Sequence, residues 1–304
     1  MPDPIVLDGN AIAEKVRHEV QADVALFREK HGRAPGLHVV IAGDDPASAV
    51  YVRNKEKAAK EIGIAGEVHR LPATVTEDEL VALLHKLNMD PAVDGILVQL
   101  PLPKGIRADR ILDLVDPAKD VDGFHPVNAG LLSSGRPGLV PCTPTGCIRL
   151  IDEAMKALEA QGAGKRSLDG ARAVVVGRSN IVGKPVAQLL LARNATVTIA
   201  HSKTKDLPAV CREADVLVVA VGRARMIDAN AVKQGAIVID VGMNRVDDPA
   251  TGKSRLCGDV EFDSAKTKAA AITPVPRGVG PMTIAYLLRN TVDAGNRRLE
   301  TKTK

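Results

Sequence analysis

Residues 171–185, ARAVVVGRSNIVGKP, run from a continuous apolar stretch into a turn that holds Gly177, Ser179 and Gly183. A short apolar run bounded by glycine reads as a buried strand, with Gly177 just past its end and Gly183 in the first turn of the helix that follows. Backbone amides in such a strand-to-helix turn can approach a phosphate group closely. The spacing is not G-x-G-x-x-G, because Ser179 takes the middle position and the loop is one residue longer. Glycines that merely tighten the turn would give the same pattern, so the flanking sequence has to decide.

Three more apolar runs follow, ATVTIAHS (195–202), ADVLVVAVG (214–222) and GAIVIDVG (235–242), and helical segments separate the first three of the four. That is the outline of a doubly wound Rossmann-type dinucleotide domain. Charge then discriminates between dinucleotides. An NAD site places Asp or Glu at the end of the second strand against the ribose hydroxyls, whereas a 2′-phosphate needs cations there. No acidic residue occurs between Arg178 and Lys205, while Arg178, His201, Ser202 and Lys203 make a phosphate-receiving set. NADP is expected over NAD; a solvated rim of charge is the competing reading.

Upstream, helix and strand also alternate. An amphipathic pattern from Ala11 to about Lys30 precedes the buried run GLHVVIAG. A helix from about Ser48 to Ile62, stopped by Gly63, comes next, and then a short strand near VHRLPA. A helix opened by Thr76 with Glu79 as a capping box leads to the third strand in DGILVQLPLP. Continuous apolar strands between helices predict a parallel sheet covered on both faces, with ligands beyond the carboxyl ends. The fold expected is therefore α/β with two domains and an interdomain cleft: residues 1–146 form the catalytic domain and 147–282 the dinucleotide domain. Between them lies a loop-rich stretch, DPAKDVDGFHPVNAGLLSSGRPGLVPCTPTG, and a helical pattern from Thr283 to about Asn296 returns the chain to the first domain. The last residues, NRRLETKTK, read as a solvated, fraying tail.

Composition excludes several classes. The chain has 304 residues, enough for two cores, and no apolar run long enough to span a bilayer. Its N-terminus, MPDPIVLDGNAIAEK, lacks the basic start and apolar core of a signal sequence, so a cytoplasmic protein with no membrane partner is expected. A net charge of +4 suits an anionic ligand, but with two Tyr, three Phe and no Trp there is little to stack bases on, and no nucleic-acid partner is expected. Cys142, Cys147, Cys211 and Cys257 lack paired short spacings; they read as reduced packing residues, and no metal is expected.

The first half holds the chemical candidates. Tyr51, Lys55, Ala58 and Ile62 follow at intervals of four, three and four and share one helical face, which sets Lys55 in an apolar stripe. Such a lysine either snorkels to water or, desolvated, exchanges protons near neutral pH. Gln99 interrupts ILVQLPLP at its carboxyl end and needs a partner; it is a satisfied core amide or an orienter of Lys55 and a substrate oxygen. KDVDGF supplies Asp120 and Asp122, which are either part of an Asp-Gly turn or a carboxylate for two parallel hydrogen bonds from an amino-pyrimidine edge.

With these residues assembled, the sequence resembles the bifunctional methylenetetrahydrofolate dehydrogenase/methenyltetrahydrofolate cyclohydrolase family almost end to end. The matching stretches are PASAVYVRNKEKAAKEIGI, DGILVQLPLP, DPAKDVDGFHPVN, PCTPTG, GRSNIVGKP, GAIVIDVGMNR and ITPVPRGVGPMT. The resemblance implies NADP as cofactor, tetrahydrofolate derivatives as substrates, oxidation of the carried carbon followed by hydrolysis, and a homodimer joined through the dinucleotide domains. It implies that Tyr51 stacks on the folate, that Lys55 is catalytic with Gln99 as its orienting partner, and that Asp122 anchors the pterin. Leu100, Pro101, Pro276, Gly278 and Gly280 would also line the substrate, while Thr145, Gly177, Arg178, Ser179, Val182, Ser202 and Met243 would hold the cofactor. One departure stands out: the family usually has two glycines after PVP, and this chain has Arg277 followed by Gly278. Either the loop backbone differs, or the Arg277 side chain meets a carboxylate of the folate's glutamate tail.

Overall fold

Residues 3–247 and 254–301 are described by a computed structural model. The chain divides into two units. One comprises the residues up to Ala13 with Thr143–Thr283, the other Glu14–Cys142 with the segment from Ile284 onward.

The chain opens with β1 (Ile5–Val6) and α1 (Gly9–His31), then β2 (Gly36–Ala42), α2 (Pro46–Glu61), β3 (Ala65–Leu71), α3 (Glu77–Met89) and β4 (Gly95–Gln99). Local chemistry sets the helix starts. Asp45 accepts a hydrogen bond from Ser48 N at 2.7 Å with Pro46 at the first helical position of α2. Thr76 and Glu79 form the capping box of α3. β3, β2 and β4 make a wholly parallel three-stranded sheet in that order. Val40, Ala42, Ile96 and Val98 from its strands pack with Leu80, Leu84 and Leu87 of α3.

Two short helices, α4 (Ala108–Leu112) and α5 (Pro126–Ser133), follow, and α6 (Cys142–Ala160) carries the chain from one unit into the other. The other sheet is built from β5 (Arg172–Val176), α7 (Gly183–Ala192), β6 (Thr196–Ala200), α8 (Leu207–Arg212), β7 (Val216–Val219) and β8 (Ile237–Asp240). An antiparallel hairpin of β9 (Asn244–Asp247) and β10 (Ser254–Cys257) comes next, then α9 (Phe262–Ala265), β11 (Ala271–Ile272) and α10 (Val279–Thr301). The sheet order is β1-β11-β8-β7-β5-β6, parallel throughout. The chain therefore reverses direction of winding beside β5, where a doubly wound sheet binds its ligand.

Several sequence expectations are corrected. Residues up to Ala13, assigned above to the catalytic domain, group by contacts with Thr143–Thr283, because Ile5 and Val6 pair with Ala271 and Ile272. Two-residue strands carry too little periodicity to be read. The loop-rich stretch contains α5 and the first turn of α6, so CTPTG is helical, and the units part at Cys142/Thr143 rather than near Gly146. α10 starts at Val279 and runs past Asn296 to Thr301. Arg298 there donates to Val93 O (2.6 Å) and Asp94 Oδ1 (2.9 Å), which a solvated tail would not do. Lys302–Lys304 lie outside the described residues.

Candidate active site and dinucleotide turn

In the unit built on the three-stranded sheet, α2 brings Lys55 against the end of β4. Lys55 is buried (8 % exposed), as are Ala58 and Ile62 on the same face, and its Nζ donates to Gln99 Oε1 at 3.0 Å. Gln99 Nε2 in turn donates to Leu100 O at 2.7 Å, which also accepts from Ser48 Oγ at 3.3 Å. The amide is thus fixed in the orientation that presents its oxygen to the ammonium. Leu100–Pro101 is a cis peptide. Tyr51, one turn before Lys55, is half-buried, and burial pushes its phenol up from the ordinary range.

Asp122 lies within electrostatic reach of Lys55. Burial, the largest influence, raises its carboxyl to about 6; Lys55 pulls it down and Asp120 pushes it up. The residue as a whole keeps partial exposure, so its environment is packed on one side and open on another. Among the described residues no hydrogen bond reaches the Asp122 carboxylate. Asp120, by contrast, is spent on structure: its Oδ2 accepts from His125 N (2.8 Å) and Asn128 Nδ2 (2.9 Å) and so anchors the start of α5. The turn reading therefore holds for Asp120, and Asp122 is left as the available acceptor.

Two residues of this site, Asn290 and Lys119, escaped the sequence reading, and a third, Cys142, has the packing role expected of it. Asn290 of α10 is buried, and its Nδ2 donates to Val121 O (2.8 Å) and Val140 O (2.9 Å), clamping both sides of the Asp122 loop. Cys142 donates to Val121 O at 3.2 Å; its thiol is pushed well above its usual value by burial and then by Asp122, so it is a packing group. Lys119 donates to Leu87 O, Asn88 O and Asp90 O at 2.7–2.9 Å, closing the carboxyl end of α3 just before the loop. Asn290 is one of several polar positions in its helix, so nothing local marks it, and its partners lie 150 and 169 residues away.

The other unit holds the remaining expected positions. Gly177 has φ +125° and a Cβ there would stand 2.2 Å from Ala220 O; one on Gly183 would stand 2.3 Å from Gly177 O. Only glycine fits at both, so the backbone can close tightly at the two ends of the turn. Val182 N and Gly183 N both donate to Ser179 Oγ at 3.2 Å, so the amides opening α7 point into the turn. This arrangement fits a dinucleotide diphosphate. Arg178 and Ser202 are exposed beside it at the ends of β5 and β6, and the first acid after them, Asp206, accepts from Ala209 N at the start of α8. Val182 is the residue preceding α7, and Thr145 lies in the first turn of α6. Met243 is 43 % exposed, and its Cε sits 3.4 Å from the Cβ position of Gly280.

Two buried aspartates, also unforeseen, shape the loops at this end of the sheet. Asp240 accepts from Gly242 N, Asp259 N and Val260 N at 2.9–3.0 Å; burial raises its carboxyl to about 7 while these donors pull it down. Asp259 accepts from Val221 N, Gly222 N, Arg223 N and Asn244 Nδ2 at 2.6–2.9 Å. An Asp within IVID was the visible signal.

Pro276, Gly278 and Gly280, expected to line the substrate, belong to this unit and not to that of Lys55. Arg277 has φ +84°, a left-handed backbone that glycine takes readily, and its exposed guanidinium donates to Asp8 Oδ2 at 3.0 Å. A left-handed non-glycine residue costs roughly 1–2 kcal/mol, and an exposed ion pair returns about 0–1 kcal/mol. Arg277→Gly is therefore expected to unfold thermally at or slightly above the parent temperature. A clear fall would show that the Asp8 pair outweighs the backbone cost.

Fold and site together define a two-domain α/β dehydrogenase class with a doubly wound dinucleotide unit. Residues 7–122 match the catalytic domain, and residues 141–299 the NAD(P)-binding domain, of tetrahydrofolate dehydrogenase/cyclohydrolase. The bifunctional protein FolD of Sorangium cellulosum (strain So ce56) is 59% identical over 295 residues, 97% of this chain and 98% of that protein. Among solved structures, the bifunctional FolD dehydrogenase/cyclohydrolase of Campylobacter jejuni is 45% identical with a TM-score of 0.87, covering 96% of this chain and 99% of that one. The Trypanosoma brucei dehydrogenase-cyclohydrolase, solved with NADP cofactor and an inhibitor, is 41% identical with a TM-score of 0.88 and coverages of 98% and 99%. The chain belongs to the tetrahydrofolate dehydrogenase/cyclohydrolase family. Among the described residues no helix is long and apolar enough to cross a membrane.

Proposed function

We infer that the protein oxidises 5,10-methylenetetrahydrofolate to the 5,10-methenyl form with NADP and hydrolyses that product to 10-formyltetrahydrofolate. The observation that carries this reading is the buried Lys55 held by Gln99, with the unpaired Asp122 carboxylate in its field. NADP, when bound, would supply the hydride acceptor for the methylene carbon. Asp122 takes the pterin edge by two charge-assisted hydrogen bonds, and Tyr51 stacks on the folate ring. Leu100 and Pro101 border the same folate. Water then attacks the cationic methenyl carbon, and Lys55, oriented by Gln99, takes a proton from the water and delivers one to the departing ring nitrogen. Thr145, Gly177, Arg178, Ser179, Val182, Ser202 and Met243 form the cofactor surface, and Pro276, Gly278 and Gly280 the remaining substrate contacts.

A dehydrogenase lacking the hydrolytic step and a folate-binding protein without activity are the rivals. An absorbance assay with methylenetetrahydrofolate and NADP separates them: NADPH formation followed by decay of the methenyl absorbance supports both activities, and a persistent methenyl signal removes the second. With Arg178 and Ser202 at the ribose and no acid there, NADP should exceed NAD in kcat/KM by at least about tenfold, or ~1.4 kcal/mol. Arg178→Ala should chiefly weaken NADP; unchanged NADP affinity would move the phosphate site elsewhere.

A cytoplasmic homodimer completes the proposal. Leu191 of α7 and Ile199 of the edge strand β6 are exposed apolar side chains on the dinucleotide unit, which suits an interface there. Sedimentation at micromolar concentration should give twice the chain mass.

A further inference from the structure

β2 and β3 bring three ligand-type side chains to one face of the parallel sheet, apart from the residues assigned above. Strand alternation puts Glu67 and His69 on the same face. The register pairs His38 with Glu67 and Val40 with His69, so His38 lies across from both. His38 Nδ1 and His69 Nε2 are 2.8 Å apart, and His69 Nδ1 is 3.9 Å from Glu67 Oε1. One donor atom from each residue lies within 4.8 Å of the others. Both rings are half-buried and Glu67 is exposed.

Only one N–H fits between two ring nitrogens at that distance, so the other nitrogen directs a lone pair at it. Burial, and after it His69, lowers His38 below its ordinary range, which leaves that ring neutral at pH 7; Glu67 and Asp90 oppose the shift and Lys119 adds to it.

We propose that His38, His69 and Glu67 bind a divalent first-row transition ion of the zinc type, through His38 Nδ1, His69 Nε2 and the Glu67 carboxylate. Two imidazoles and one carboxylate favour such ions over Mg²⁺ or Ca²⁺, which take oxygen ligands. Metal–nitrogen bonds of about 2.0–2.1 Å at a tetrahedral angle set the two nitrogens about 3.3 Å apart, so the rings must part by roughly half an ångström. β3 is an edge strand with β2 as its one strand neighbour, and it can yield by that amount. The ring that donates the hydrogen bond must give up that proton, to its other nitrogen or to solvent, before its lone pair can take the ion. The cysteine spacings that led to the expectation of no metal say nothing about this set, whose histidines are 31 residues apart and meet only through strand register.

The test is a calorimetric titration of the tag-free, chelator-treated full chain with zinc chloride. One equivalent should bind, His69→Ala should weaken it by at least about tenfold, Glu67→Gln should weaken it less, and both variants should keep the parent dehydrogenase rate. Absence of binding up to ~1 mM zinc, or parent-like affinity in His69→Ala, overturns the proposal. Should that variant fail to fold, cobalt(II) added to the parent protein must broaden the ring-proton signals of two of the seven histidines first. Broadening of a different pair, of all seven alike, or of none overturns it equally.

Discussion

Lys55→Met is expected to lower hydrolysis of methenyltetrahydrofolate by at least about 10²-fold, the lower end for a positioned acid–base group, and to lower the oxidation by less. Hydride transfer moves no proton in its chemical step, whereas hydrolysis must take protons from water and return one to a ring nitrogen. Methionine keeps much of the apolar stem on the buried face that also carries Ala58 and Ile62, so folate should still bind. Its thioether cannot donate to Gln99 Oε1, which is the bond the site is built around. Both rates should be measured on one folded preparation. Hydrolysis near the parent rate would remove Lys55 from the mechanism, and equal losses would make it a residue that positions substrate.

Asp122→Ala should reduce both reactions together, because it removes a two-point contact worth about 1.5–3 kcal/mol to the pterin. The same carboxyl should give the parent enzyme a pH dependence. Its position near 6 means that the charged form is lost as pH falls through that value, so folate affinity should drop on the acid side. The stability effect has the opposite sign. A carboxyl raised above its ordinary 3.8 favours folding at low pH, and this contribution is lost as pH rises through about 6. Asp122→Asn should therefore be more heat-stable than the parent at pH 8 without ligand, yet bind folate more weakly. A less stable Asn variant with normal folate binding would contradict both parts.

How far the sequence could be read depended on whether a feature was local. The capping box at Thr76, the strand after Ala171 and the Lys55 face are written within a few residues, and each is found where its pattern predicts. Lys55 and Gln99 are 44 residues apart, but each broke an apolar pattern and so flagged a polar group that needed a partner. What stayed hidden was set by tertiary register. β1 and β11 are two residues each, Asn290 looked like any polar helix position, and spacing alone left Asp120 and Asp122 equivalent, the resemblance singling out Asp122 before Asn128 and His125 N were seen to hold Asp120. Arg277 was recognised as a departure, but only the structure places its guanidinium on Asp8.

The clamp made by Asn290 also bears on the order in which the protein can be completed during synthesis. A chain emerging from the ribosome presents Lys55, Gln99 and Asp122 early, but the side chain that ties down the backbone at Val121 and Val140 arrives with the last helix. The three-stranded sheet can form before then, since domains fold as their segments appear. The loop bearing Asp122 cannot take its final anchorage until α10 has been made. A nascent chain stalled before Asn290 should thus hold a formed sheet whose Asp122 loop is not yet anchored.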